Sequence, residues 1–479
     1  MKKGDSIELD ITGYAFEGKG VAKIVKEVNS LSEEAKKFVV FVNGAYPGDK
    51  INARITRVRK SYAEAEINYV LTKSAYRTDP RCKYFGTCGG CRAQDLEYRQ
   101  QVKFKEEQVK EIFQRIGGFS DFEMLSILPA ENSFFYRNKM EFSFSEKRWL
   151  TKNEIESMQE IQNKDFALGL HIPGMYEKVL DIDECFLQSE LSNRILNFTR
   201  KFFKTSEMSI YSTANHSGFL RNLVIRNSYH TKDLMVNLVT AEENERLLIN
   251  YSNGLKTHFP EITTIINNIN TKKAQVATGD YEKVFYGSGF IYDCIGEYKF
   301  RISANSFFQT NTRQAEQLYQ TAVDFAEFSG NEIVYDLYSG AGTIPVSISK
   351  FVKEIHGFES VEAAISDARV NAGMNNISNF RTNLCDLNKS FIPLIENESL
   401  PKPDVIIADP PRSGMNPKTV NDLISLKSNR IVYISCNPTT QARDLKLLCE
   451  SSYKLIKLKP VDMFPHTYHI ENVALLKLI

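Results

Sequence analysis

Apolar and polar positions change their period along the chain, and each change predicts a different architecture. Ile7, Leu9 and Ile11 alternate with Glu8 and Asp10 at period two, the pattern of a half-buried strand. Phe38 through Val42 is an unbroken apolar run, the pattern of a buried strand, and Asn43-Gly44 and Pro47-Gly48-Asp49 supply turns. Short strands cut by glycines predict a small β-barrel over 1–71. Gln94 through Gly117 predicts a basic helix stopped by Gly117-Gly118. Residues 127–300 mix alternating strands, such as 140–144 and 223–225, with a helix near 188–204, so 72–305 is expected to be a mixed α+β domain. The charged stretch 145–165 reads as a surface insertion.

From about residue 310 the texture becomes regular. Helices are expected at 311–328, 343–351, 361–375, 416–427 and 439–450. Strands are expected at 332–337, 354–359, 404–408 and 430–435, with a final pair near 455–478. Strand-helix alternation predicts a doubly wound, Rossmann-like α/β domain over 306–479.

Charge changes this picture in one place. Lys+Arg 60 against Asp+Glu 59 gives a net charge of +1 over 479 residues, which excludes a histone-like polycation and an acidic tail. Between Lys50 and Lys105, however, 13 Lys/Arg face 5 Asp/Glu, and that local excess suits a polyanion such as RNA. No apolar run reaches the roughly 18 residues of a membrane span, and the first residues lack a signal-like apolar stretch, so a cytoplasmic protein is expected. Its eight cysteines are then expected to be reduced, metal-bound or catalytic.

Three segments of the α/β region place chemistry at strand ends, where such sheets bind ligands. In the first, Asp336 and Tyr338 lead into Gly340 and Gly342, and Glu359 closes the next strand. Glycines let the backbone approach a ligand, and an acidic residue at Glu359 can accept both ribose hydroxyls. The full dinucleotide glycine pattern is missing. Asp336 suits a ligand with a cationic amino-acid end, such as S-adenosylmethionine (AdoMet). In the second, Asp409 is followed by Pro410, Pro411 and Arg412. The likeness is to the Asp-Pro-Pro motif of base methyltransferases, but Arg412 stands where amino-group methylases carry an aromatic residue. In the third, a strand ends on Ser435-Cys436-Asn437-Pro438, a thiol at a helix start, where a lowered pKa and nucleophilic behaviour are expected. Glu471 begins an apolar final strand, an unfavourable place for a carboxylate, and so is a candidate general base. His466 and His469 lack an acidic partner at metal-site spacing. Phe307, Phe308 and Gln309 stand just before the α/β region, where they can wall a pocket.

Together these motifs resemble the RNA uracil-5-methyltransferase family, along nearly the whole chain. Gly18-Lys19-Gly20 and Pro47-Gly48-Asp49 resemble the TRAM domain, an OB-like RNA-binding barrel. The resemblance implies that Cys436 adds to carbon 6 of a uracil, that carbon 5 takes a methyl group from AdoMet, and that Glu471 removes the carbon 5 proton. It implies AdoMet contacts from Gln309, Tyr338, Glu359, Asp409 and Asn383, and RNA contacts from 136–139. A cytosine-5 methylase is disfavoured, because the Asp409–Arg412 loop carries no second cysteine.

Cys82, Cys88 and Cys91 have a spacing that alone suits zinc and an iron–sulfur cluster equally. The family resemblance implies a [4Fe–4S] cluster with Cys185 as fourth ligand, in a structural role. It also implies a loop uridine of 23S ribosomal RNA as the target, with a transfer-RNA uridine as the alternative, and a monomer is expected.

Overall fold

In the N-terminal segment, alternation translates directly into one buried and one open sheet face. Ile51, Ala53 and Ile55 of the strand Lys50–Val58 point into a core with Leu9, Val40, Val42, Ala63 and Ala65, while Arg54 and Arg57 point outward. The six strands run in the order Ser6–Asp10, Lys50–Val58, Tyr62–Thr72, Lys37–Asn43, Lys19–Val25, Gly13–Ala15. Pairing is antiparallel except between Lys37–Asn43 and Tyr62–Thr72. A Cβ at Gly20 would stand 2.6 Å from the Ala45 carbonyl oxygen, so only glycine fits that crossing. The buried Asp49 carboxylate accepts from the Tyr46 and Ser74 amides, at 2.7 and 2.8 Å, and pairs with Arg77 at 2.8 Å. This computed structural model describes residues 1–25, 37–157, 161, 164–274 and 276–479. Of the charged insertion at 145–165, a short helix covers Lys152–Glu156, and 158–160 and 162–163 lie outside the described residues.

The middle of the chain forms a seven-stranded sheet, ordered 175–181, 167–172, 139–145, 220–227, 234–240, 264–269, 281–286. Its single parallel pair, 234–240 with 264–269, requires a crossover, and the helix Glu245–His258 supplies it. This helix and Glu190–Lys204 cover one apolar face of the sheet through Ile195, Leu248, Tyr251 and Leu255.

The C-terminal sheet has the strand order 380–384, 354–359, 333–337, 405–408, 430–435, 471–478, 453–461, 123–124. The first five strands are parallel, and 471–478 enters antiparallel. Val334, Val405, Ile407 and Val432 fill one side and Tyr335, Leu337, Ile406 and Tyr433 the other, so the central strands are buried on both faces. Strand order reverses between Ile333–Leu337 and Val405–Ala408. That reversal is the crevice where doubly wound sheets bind ligands.

Most expected elements in this region form within a residue or two of their expected bounds. Two strands were not expected: Phe380–Leu384, at an edge and only partly buried, and Glu123–Met124, which joins this sheet beside 453–461. The basic helix starts at Tyr98 rather than Gln94, because the Gln94 side chain is engaged with Cys82 and Cys91. Val109, Ile112 and Phe113 pack with the C-terminal sheet, so residues 98–124 belong to that core as much as to the middle of the chain. No described helix is long and apolar enough to cross a membrane.

Candidate active site

A cavity of about 780 Å³ opens at the carboxyl ends of the parallel strands. Of the residues singled out from the sequence, Gln309, Tyr338, Glu359, Asp409, Cys436 and Glu471 line it. Asn383 does not. It sits on the strand Phe380–Leu384 and donates its amide to the Gly357 carbonyl at 3.1 Å.

The glycine turn is built for close approach. Tyr338, Gly340 and Gly342 all have left-handed φ values of 65, 52 and 78°. The costly member is Tyr338, since a bulky residue seldom adopts that conformation. Gly340 N donates to Glu359 Oε2 at 2.9 Å, and Ser360 N and Val361 N donate to Oε1 at 2.7 and 2.8 Å. The carboxylate is thereby aimed, with a lone pair of Oε2 left for a ligand's hydroxyl. Behind it lies Asp336, fully buried, with neither carboxylate oxygen hydrogen-bonded. Burial, Asp409 and Glu359 hold it well above the usual carboxylate range. Burial pushes Asp409 up to about 7. A buried, unsatisfied carboxylate at Asp336 and a desolvated one at Asp409, beside an open cavity, suit a cationic guest.

Cys436 follows the strand Arg430–Ser435 and precedes the helix Pro438–Ser451. Asn437 caps that helix by accepting from Thr439 N at 3.1 Å, and its Nδ2 donates to the Arg412 carbonyl, also at 3.1 Å. Thr440 Oγ1 donates to the same carbonyl, which pins the Asp409–Arg412 loop against the thiol. The sequence suggested a lowered thiol pKa; the structure shows the opposite. Burial, then Glu471 and Asp409, push the Cys436 thiol up to about 12, against the pull of Arg412. Desolvation and two carboxylates outweigh a helix N-terminus.

Glu471 is 4 % exposed at the start of the final strand. Burial, then Asp409, push it up to about 8, opposed by Arg412. The two phenylalanines before Gln309 divide their work. Phe308 is buried in the core, whereas Phe307 lines the cavity and is 71 % exposed. Sequence reasoning passed over Asp367, which lines the cavity from the helix Glu362–Met374, pairs with Arg301 and accepts from Ser306. No motif surrounds it, so only the fold reveals it.

Cys82, Cys88, Cys91 and Cys185 line a second cavity, of about 290 Å³. Arg137 and Thr310 wall both cavities. Gln94 Nε2 donates to Cys91 Sγ at 3.2 Å, and Gly90 N to Cys88 Sγ at 3.4 Å. Burial pushes Cys88 up to about 11 and Cys91 up to about 12. Among the described residues, no three His, Cys, Asp or Glu side chains are grouped so as to hold a metal ion.

The basic segment is partly neutralised within the fold. Arg77 pairs with Asp49 and Asp95, Lys83 with Asp183, and Lys105 with Asp462. Arg57, Arg59 and Lys60 are exposed beside the turn into Tyr62 and have no ion pair among the described residues.

Residues 293–479 match the family model described as tRNA (Uracil-5-)-methyltransferase, and residues 1–67 match the TRAM domain. An uncharacterized RNA methyltransferase of Chlorobaculum tepidum is 42 % identical over 99 % of this chain and 96 % of its own length. The chain belongs to the tRNA (uracil-5-)-methyltransferase family. It is an AdoMet-dependent RNA methyltransferase with an N-terminal TRAM domain. Another relative within this family likeness, an uncharacterized RNA methyltransferase of Bacteroides thetaiotaomicron, is 40 % identical over 97 % of this chain and 100 % of its own. Among solved structures, a Pyrococcus abyssi tRNA (uracil-54, C5)-methyltransferase in complex with S-adenosyl-L-homocysteine superposes with a TM-score of 0.72. It is 29 % identical, over 98 % of this chain and 100 % of that one.

Proposed function

We propose that this enzyme methylates carbon 5 of an RNA uridine, with Cys436 as nucleophile and Glu471 as base. The observation that carries the reading is a thiol and a high-pKa carboxylate facing one cavity with the aimed Glu359 and the unsatisfied Asp336 beside it. Gln309, Tyr338, Glu359 and Asp409 would hold AdoMet, which when bound supplies an electrophilic methyl group. Cys436 Sγ adds to carbon 6 of the uracil, giving carbon 5 the electron density it lacks. The thiol is neutral at rest, so its proton passes to water in the open cavity as the sulfur attacks, and the thiolate released at the end takes one back. Once carbon 5 carries its methyl group, Glu471 accepts the carbon 5 proton and the sulfur departs from carbon 6. The uridine must be unstacked to enter, at a cost of a few kcal/mol that a loop reduces.

For the substrate we favour a loop uridine of 23S ribosomal RNA, acted on by a monomer in the cytoplasm, with 1–71, 72–305 and 306–479 as working domains and the first folded as a barrel. A second reading, a transfer-RNA uridine, is favoured by the full-length likeness to a tRNA (uracil-54, C5)-methyltransferase. Mapping 5-methyluridine by mass spectrometry in both RNAs from a deletion strain decides between them. Loss from 23S RNA alone supports the first, and loss from tRNA alone replaces it with the second.

Cys82, Cys88, Cys91 and Cys185 would hold a [4Fe–4S] cluster. Four thiols ring one cavity, a donor set of the kind that holds an iron–sulfur cluster. Anaerobically purified protein is expected to be brown, and Cys88→Ala to lose the broad visible absorption. A colourless protein with one zinc per chain would refute the cluster.

Arg57, Arg59 and Lys60 are expected to contact RNA phosphates. Reversing all three charges should flatten the plot of log affinity against log salt by about 2, at about 0.7 for each lost contact with a single strand. An unchanged slope places the RNA path elsewhere.

A further inference from the structure

The mechanism above uses Glu471 and leaves unexplained how the segment before it is held. That segment, 462–470, has no regular structure and carries Phe464 and His469, which line the catalytic cavity. One face of the helix Tyr98–Ile112, carrying Tyr98, Gln101 and Lys105 at i, i+3 and i+7, grips it. Tyr98 Oη donates to Asp462 Oδ2 at 2.8 Å. Lys105 Nζ donates to Asp462 Oδ1 at 2.6 Å and to the Phe464 carbonyl at 3.1 Å.

The centre of the grip is His466. Its backbone is left-handed, with φ 63°, a conformation costly for a residue with a side chain. In that conformation its amide donates to Gln101 Oε1 at 3.0 Å, and its Nδ1 stands 3.1 Å from Gln101 Nε2. Its carbonyl oxygen accepts from both Arg92 N, at 2.7 Å, and Ala93 N, at 3.1 Å. These are the two residues that follow Cys91. Gln101 Nε2 also lies 2.8 Å from the Ala93 and Leu96 carbonyls, so one glutamine amide joins the cysteine turn to the catalytic segment. The Phe134 ring covers the imidazole at a centroid distance of 4.3 Å, and Tyr136 Oη donates to the neighbouring Pro465 carbonyl at 3.1 Å. Burial holds the imidazole in its neutral form.

We infer that Gln101 and His466 are positioning residues that clamp 464–470 onto the turn after Cys91, so that the catalytic segment is ordered only while the four-cysteine site is intact. The strain at His466 persists because two amides of the cysteine turn and both ends of Gln101 hold it. When the cysteine turn loosens, both acceptor bonds at the His466 carbonyl go together, and the left-handed residue relaxes. The path from the cysteines to the catalytic cavity is therefore a few bonds long and covalent at its start.

This inference rests on the proposed role of Glu471 for its effect on turnover, but the clamp is read without turnover. Hydrogen exchange followed by mass spectrometry on the full-length protein, as purified anaerobically, is the first measurement. Gln101→Met keeps the length of the side chain and removes its amide. Exchange over 464–470 is expected to rise about tenfold, the equivalent of one lost hydrogen bond, while 473–478 stays protected. Stripping iron from the wild-type cysteines with chelator and reductant should produce the same local change. In turnover, Gln101→Met should lower kcat about tenfold or more, with KM for AdoMet within about twofold. If Gln101→Met fails to fold, His466→Asn and His466→Ala replace it. Asparagine tolerates the left-handed backbone and offers an acceptor, so it should retain protection and turnover, and alanine should lose both. Unchanged exchange at 464–470 in a folded Gln101→Met or His466→Ala overturns the clamp. Unchanged exchange on stripping overturns the coupling to the cysteines, and raised exchange with unchanged kcat overturns the positioning role. If Cys436→Ala still methylates RNA, the mechanism fails while the exchange results stand.

Discussion

Cys436→Ala is expected to bind AdoMet and RNA, to form no covalent adduct and to give no methylated product. Glu471→Gln should fail differently. It retains the thiol, so addition and methylation proceed, but the carbon 5 proton has no acceptor and elimination stalls. A positioned base is worth about 100- to 10,000-fold, enough for a methyl-labelled RNA–protein adduct to accumulate and survive a denaturing gel. In the wild-type enzyme the sign of the pH dependence follows from the raised value at Glu471. A base must be deprotonated to act, so with its carboxyl near 8 the elimination step should quicken through neutral pH and level off above about 8. Full methylation by Cys436→Ala, or an adduct-free Glu471→Gln, would remove these two roles.

The second large effect is on stability. Lys105 and Asp462 form a salt bridge at 2.6 Å with side chains 6 % and 0 % exposed. Replacing Lys105 by Met leaves Asp462 buried, with only the Tyr98 hydroxyl on its carboxylate. Breaking one side of such a pair costs about 3–5 kcal/mol, because the surviving charge is stranded in a medium that cannot solvate it. Replacing both partners, as Lys105→Met with Asp462→Leu, should cost less than the sum of the two single changes. Urea unfolding of the three variants measures this. A single-variant loss below about 1 kcal/mol would show that water reaches the pair.

What could be read in advance follows from how local each cause is. The parallel strands at 333–337, 405–408 and 430–435 are apolar runs ended by glycine or proline, and their causes lie within a few residues. The strand Phe380–Leu384 is partly buried at an edge and has no such signature, and Glu123–Met124 is two residues long and exists only because 453–461 offers a free edge. Cys436, Glu359, Asp409 and Gln309 meet in one cavity because each ends or follows an element whose place the topology sets. The direction of the Cys436 pKa was misjudged for the opposite reason. The helix start is visible in the sequence, whereas Glu471 and the depth of burial arrive from elsewhere in the fold. The join between His466 and the Cys91 turn spans more than 370 positions and leaves no local mark.

The helix Tyr98–Ile112 meets Tyr14 and Ala15 near the start of the chain, but its Asp462 partner comes last, since Tyr98 and Asp462 are separated by 364 positions. On a ribosome adding about 5–20 residues per second, that interval is about 20 to 70 seconds. Throughout it, Val109, Ile112 and Phe113 have Phe119 and Phe122 beside them but lack the last sheet against which the finished enzyme packs them. The nascent polypeptide is thus committed to a waiting period in which the apolar face of this basic helix is open to chaperones and to other nascent chains, and slowing translation of the final third would lengthen that exposure.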